Sequence, residues 1–282
     1  MATIQVLGQP RKPGRRGRPR RALGTRGSSR IAKGFYDALV RIMQPMLQDV
    51  EQMVPWLESN PGASVAYTAL TQQAEKWRRV LGPSLRGIAR KWADTTNDRD
   101  RLKLQASLSR ALGVKEIMIF DDLAVKETVE MMSTEAVHLI TKIPDEYFDR
   151  IEVAVMKSYQ QERLPEGRSL IEEIQEITGH QWDRAKLIAV DQTNKMHGMV
   201  TMSRQQSLGI EEYTWRTAGD QRVVGDPSGL YPKPTKLHGN HYIRSGKVFR
   251  WDEPPDDGHP GWPIRCRCHG DPVIDYDKLK LQ

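Results

Sequence analysis

Cys266 and Cys268 are the only cysteines in a chain of 282 residues, and a single arginine separates them. Four of the seven histidines, His238, His241, His259 and His269, fall in the same stretch, 215–273. Thiolates are soft ligands and imidazoles borderline ones, so four of these side chains could enclose a tetrahedral zinc and staple a small loop-rich module. The ligand candidates are His259, Cys266, Cys268 and His269. Cys-x-Cys is not the Cys-x2-Cys spacing of the common zinc knuckles, so the leading expectation is a polar network without a metal or other cofactor. In that network Asp220 and Arg222 pair with Arg265 or Arg267, while His238 and His259 hydrogen-bond backbone groups. The same residues offer a second chemistry. Asp220, His238, His241 and His259 could act as general acids and bases, or hold a catalytic metal. A nuclease of this kind needs its histidines in a strand-strand-helix frame, and no helical pattern follows His259. The expectation is therefore no catalytic residue and no enzyme, with a metal-dependent nuclease or hydrolase as the alternative.

A different chemistry sits at the N-terminus. Residues 1–33 contain Arg11, Lys12, Arg15, Arg16, Arg18, Arg20, Arg21, Arg26, Arg30 and Lys33 and no acidic residue. The net charge of +7 is thus a segment of ten positive charges attached to a body with 33 basic and 36 acidic side chains. The segment is rich in Gly, Pro and Ser and has no apolar periodicity from 9 to 29, so burial cannot offset the entropy of ordering it. It reads as a disordered tail, 1–33, whose arginines (with Lys12) bind phosphate and release counterions. Arg16-Gly17-Arg18-Pro19-Arg20 resembles an AT-hook core, in which a thin extended backbone lets two arginines enter the minor groove.

The elements that must position these residues are mostly helices. Phe35, Leu39, Ile42, Met46, Met53 and Leu57 draw one stripe, with Pro45 and Pro55 as expected kinks or ends. A second helix runs from about 65 to Gly82-Pro83, and a third contains Leu85, Ile88 and Trp92. Residues 94–101 read as a turn or helix start, after which Leu104, Leu108 and Leu112 repeat. Lys115 to Phe120 fits a short strand or a connector, and Asp121-Asp122 open a helix carrying Val125, Val129, Met132 and Leu139. A helical segment ends near 161–167. Ser169 and Glu172 have capping-box spacing for a helix that ends at Thr178-Gly179, and another runs from Trp182 to about Leu208. Tyr213 and Trp215 suggest a strand, and 242–249 reads as a β-hairpin turning at Ser245-Gly246. The predicted fold is mainly α: a helical body, 34–210, followed by a small α+β C-terminal module, 211–282.

The order of these features resembles the phage Mu F-like head morphogenesis family of minor capsid proteins. The resemblance covers roughly 145–273. It rests on Gly167-Arg168-Ser169, Arg184-Ala185 with Ile188-Ala189, Asn194, then Trp215-x-Thr217-Ala218-Gly219-Asp220-x-Arg222-Val223. Leu237-His238-Gly239, His259-Pro260 and Cys266-Arg267-Cys268 complete it. Two spacings depart from the family: the first histidine after Val223 is His238, and five residues separate His259-Pro260 from Cys266. The resemblance implies structural roles for Thr217, Gly219, Asp220, Arg222, His238, His259, Pro260, Cys266, Arg267 and Cys268. It further implies a minor head protein of a tailed phage, made in the host cytoplasm and present inside the capsid. Its partners would be the portal protein, packaged double-stranded DNA, and the major capsid or scaffolding protein. No membrane partner is expected, since no run of about 18 apolar residues exists.

Overall fold

The computed structural model describes residues 3–7, 22–160, 168–235, 237–275 and 278–279. The basic residues Arg11, Lys12, Arg15, Arg16, Arg18, Arg20 and Arg21, with the Arg-Gly-Arg-Pro core, lie outside the described residues, as does the predicted break at 161–167. The elements are β1 (Thr3–Leu7), α1 (Ser29–Glu58), α2 (Ala63–Leu112), β2 (Glu116–Phe120) and α3 (Leu123–Tyr159). After them come α4 (Leu170–Ser207), β3 (Glu212–Arg216), α5 (His241–Arg244), β4 (Val248–Arg250) and β5 (His269–Val273). The chain is mainly α with a small α+β C-terminal module, as its sequence predicts. No helix among the described residues is long and apolar enough to cross a membrane.

The helices are fewer and longer than the prolines and glycines suggest. α1 runs through Pro45 and Pro55, α2 through Pro83 and α3 through Pro144, while α4 passes the expected stop at Thr178-Gly179. Magnitudes explain this. An interior proline costs about 3 kcal/mol and an interior glycine about 1, whereas each buried Leu, Met or Phe contributes about 1.5–3 kcal/mol. α1 buries Phe35, Leu39, Met43, Met46, Leu47, Val50, Val54 and Leu57, so the stripe outweighs its two prolines.

The chain forms two compact units. One comprises 32–92 and 133–190. There Phe35 stacks on Trp92 with ring centroids 4.9 Å apart, and both Lys76 and the Trp77 indole donate to Asp49. The Tyr159 hydroxyl donates to the Leu57 carbonyl at 2.7 Å. The capping box opens α4 as predicted: the Ser169 amide donates to the Glu172 carboxylate at 2.8 Å, and the Glu172 amide to Ser169 Oγ at 3.4 Å. The Ser169 amide and hydroxyl together hold the Glu172 carboxyl below its ordinary range.

The other unit comprises 1–31, 93–132 and 191–282, so the C-terminal module shares a unit with 191–210 and part of α2. β1 and β2 pair antiparallel from Thr3↔Phe120 to Leu7↔Glu116. Ile117 and Ile119 of β2 turn inward, onto a core with Ala22, Leu104, Leu108, Leu112, Leu208 and Ile210. Two parts of the expected free tail are therefore ordered. Residues 3–7 are a strand. Residues 22–28 are docked: Leu23 exchanges two 2.8 Å hydrogen bonds with Ser107 Oγ, and the Gly24 amide donates to Asp271 at 2.7 Å. Backbone groups met by fixed side-chain partners offset the entropy that composition alone leaves unopposed. Residues 94–101 are interior α2 rather than a turn, because Thr96 and Asp100 are buried and Asn97 and Asp100 have polar partners on α4.

The second sheet has the order β4-β3-β5, antiparallel throughout. The predicted hairpin at Ser245-Gly246 is replaced by α5, one turn capped by Asn240, whose side chain accepts the Ile243 amide at 3.1 Å. Gly246 and Lys247 instead extend the β4 edge by bonding Trp215, each at 2.9 Å. β5 carries Pro272, which gives no strand signal; at the sheet edge its missing N–H removes no ladder bond.

Candidate functional site

The motif residues converge around β3. Tyr213 and Trp215 are fully buried there and pack with Phe249, Trp251 and the two cysteines. His259 is buried among them. Its Nε2 lies 3.0 Å from the Trp251 carbonyl, which can only accept, so Nε2 carries the proton and Nδ1 accepts from the Tyr213 hydroxyl at 2.9 Å. Burial lowers the His259 pKa, consistent with a neutral ring. Both nitrogens are thus engaged, which removes His259 from the ligand candidates. The adjoining Pro260-Gly261 turn lies against α4: a Cβ at Gly198 would meet the Pro260 carbonyl at 2.5 Å, and one at Gly261 (φ +90°) would meet the Asn194 carbonyl at 2.7 Å.

Asp220 makes the predicted pairing with Arg267, a bidentate fork in which Nη2 donates to Oδ1 at 2.7 Å and Nη1 to Oδ2. Arg267 holds the Asp220 carboxyl down at about 2, aided by the Arg222 amide at 3.0 Å. The Arg222 side chain is exposed, and Gly219 supplies a left-handed turn (φ +70°) beside half-buried Thr217. Arg265 pairs elsewhere, its amide donating to Asp191 at 2.7 Å. His238 bonds the Ile264 carbonyl through Nε2 at 2.5 Å, as expected of a backbone-bonded histidine.

The two cysteines meet a different histidine. His241 Nδ1 lies 3.6 Å from Cys268 Sγ and 3.9 Å from Cys266 Sγ, and the three donor atoms fall within 4.8 Å of one another. All three residues are buried, and both cysteines are free. Asn240 starts α5 and so presents His241 at its first position. Asp257 completes the set: Oδ2 accepts His241 Nε2 at 2.8 Å and the Gly239 amide at 2.7 Å, and Oδ1 accepts Arg244 at 2.5 Å. Burial raises the Asp257 pKa, but Arg244 and these donors outweigh it, so the group stays below its ordinary range. An ionised carboxylate can only accept, which places a proton on Nε2 and directs the Nδ1 position at the sulfurs.

The Gly261 amide donates to Cys266 Sγ at 3.4 Å and the Ala218 amide faces Cys268, whereas the buried Trp215 indole N–H has no hydrogen-bond partner among the described residues. Cys266 is driven far below the ordinary thiol range, chiefly by its bond from Cys268, and Cys268 is driven up by the same contact. Burial lowers the His241 pKa, but Cys266 and Asp257 outweigh it and the net shift is upward. His269 belongs to another neighbourhood. Its Nε2 lies 3.7 Å from Asp271 Oδ1, which also accepts the Gly24 amide, while Arg216 donates to Oδ2, and burial takes the His269 pKa down to about 4. The predicted quartet His259, Cys266, Cys268 and His269 is therefore corrected to the trio His241, Cys266 and Cys268.

α4 positions much of this. Asp191, Asn194, Gly198 and Gln205 meet the module, the last accepting the Trp251 indole at 2.9 Å. His197 and Arg204 face the other way. His197 bonds Asp100 at 2.7 Å and the Thr25 carbonyl, and Arg204, 1% exposed, bonds Asp121 at 2.9 Å. Asn194 is also where a Cβ at Gly27 would land, so one side chain abuts both the 22–28 segment and the His259-Pro260 turn. Arg26 and Arg30 are exposed, and the Arg26 carbonyl accepts Arg99 at 2.9 Å. Asp191, His197, Gln205, Arg244 and Asp257 were not singled out in the sequence. The 191, 194, 198, 205 spacing was the available signal, a polar stripe at helical period.

No family model matches the chain, and no solved structure matches it significantly. A Haemophilus influenzae protein described only as uncharacterized is 23% identical over 261 residues, which are 89% of this chain and 55% of that protein. The chain thus spans about half the length of the curated relative it matches.

Proposed function

We propose that this chain is a minor head protein of a tailed phage, of the Mu F-like head morphogenesis kind, which docks on the portal inside the head. Its basic segment would contact the packaged double-stranded DNA. The observation that carries the reading is the convergence of the motif. Trp215, Asp220, His259-Pro260 and Cys266-Arg267-Cys268 are far apart in sequence, yet they share one module on β3. A motif whose members hold one another in place is what a conserved structural module of that family would require. The DNA contact is supported by where the charge sits. Seven basic residues lie between 8 and 21, and the chain on either side, 3–7 and 22–28, is anchored in the same unit.

The test is the protein content of DNA-filled heads, purified by density gradient after phage induction and assayed by mass spectrometry. The proposal expects this chain in heads that also contain portal protein, and expects heads made without it to fail in assembly or DNA retention. Heads that lack the chain in the presence of normal amounts of portal would overturn it.

A further inference from the structure

We propose that His241 Nδ1, Cys266 Sγ and Cys268 Sγ form a structural zinc site, with Asp257 orienting the histidine. This goes beyond the head-protein reading and does not depend on it.

The first argument is geometric. Zinc–sulfur bonds of about 2.3 Å and zinc–nitrogen bonds of about 2.05 Å at a tetrahedral angle put S and N about 3.6 Å apart. The observed separations are 3.6 and 3.9 Å, so the donors already stand near the edges of such a tetrahedron. The second argument is the surroundings of the donors. A metal-bound imidazole gives its other N–H to a carboxylate, which fixes the tautomer and raises its basicity. Asp257 does this at 2.8 Å, and is itself held by Arg244 and the Gly239 amide. Backbone donors also face the sulfurs: the Gly261 amide for Cys266 and the Ala218 amide for Cys268.

The third argument is charge. Two cysteines this close cannot both ionise without a cation between them, whereas a divalent ion lets both bind as thiolates. Burial of all three donors favours a closed structural site over a catalytic one, which keeps an open position for substrate. His238, whose Nε2 is held by the Ile264 carbonyl and whose ring centroid is 6.0 Å from that of His241, leaves Nδ1 to close the fourth vertex. Zinc at this point would tie α5, the turn after Gly261 and the start of β5 to the sheet.

The experiment uses the full chain, expressed without added metal and purified under reducing conditions. Elemental analysis should find about one zinc per chain, since structural sites bind tightly at neutral pH. Both thiols should resist a thiol reagent until a strong chelator removes the metal. Because the Cys266→Ser/Cys268→Ser variant puts two hydroxyls into a buried core, Asp257→Asn provides the second arm. It keeps all three donors and should weaken zinc binding in a competition assay by about 10–100-fold. Cobalt exchanged into the native protein should show sulfur-to-cobalt charge transfer. Native protein with no stoichiometric zinc and two freely titrating thiols would overturn the proposal, as would stoichiometric zinc with both thiols reactive.

Discussion

Asp220 and Arg267 form the motif contact whose contribution can be read directly from pH. Arg267 lowers the Asp220 pKa to about 2, against about 3.9 for an unfolded aspartate. A depressed carboxyl stabilises the fold above its unfolded pKa, and that stabilisation is lost as protons bind. The window runs from about pH 4 down to about pH 2. Asp220→Asn should flatten this part of the acid unfolding profile. At neutral pH, with the side chain 40% exposed, it should destabilise by no more than about 1 kcal/mol. Denaturant titrations across pH would check both; an unchanged acid limb would show that the fork contributes nothing. The sequence showed that Asp220 would meet the closing segment but left Arg265 and Arg267 as alternatives; the fold selects Arg267 and turns the Arg265 amide to Asp191. The histidine that meets the cysteines was not legible. Four histidines share the stretch, and only the fold decides that Tyr213 and Trp251 occupy His259 while Asp257 turns His241 toward Cys266 and Cys268.

α4 offers a matched pair of substitutions on a single helix. Nothing lies within 4 Å of a Cβ at Gly179, so Gly179→Ala should stabilise by about 0.5–1 kcal/mol through helix propensity. At Gly198 the Pro260 carbonyl lies 2.5 Å from the same atom, so Gly198→Ala should force the turn away and destabilise by about 1–3 kcal/mol. Thermal melts of the two variants should move in opposite directions. Arg204→Ala should cost more, about 3 kcal/mol, since it removes the closest cation from the Asp121 carboxylate, which keeps Arg101 at 3.6 Å and the Asn97 amide at 2.9 Å. Helix existence was legible from apolar stripes, and the start of α4 from its capping box. Helix ends were not, because a proline or glycine is a local penalty and the opposing burial is tertiary. The polar run 94–101 misled for a related reason: polar side chains signal a turn unless another element supplies buried partners, as Arg204 and His197 do here. β5 was illegible because Gly270, Asp271 and Pro272 lack strand propensity and are held there by pairing with β3.

For the molecule as a whole, the basic segment is the feature on which the account depends. Its neighbours are structural: removing 1–30 would take Ala22 out of the core and deprive Asp271 and His197 of partners. Charge substitution is therefore a cleaner probe than deletion. The measurement is duplex DNA affinity as a function of salt, for the native chain and for a variant with Arg11, Lys12, Arg15, Arg16, Arg18, Arg20 and Arg21 all replaced by serine. Each neutralised phosphate contributes about −0.9 to the log–log slope, so full engagement of seven side chains gives a slope near −6. The account predicts a steep native slope that collapses in the variant, with an unchanged melting temperature. A variant that melts normally and keeps the native affinity and slope would contradict it, because the DNA contact would then lie elsewhere on the chain.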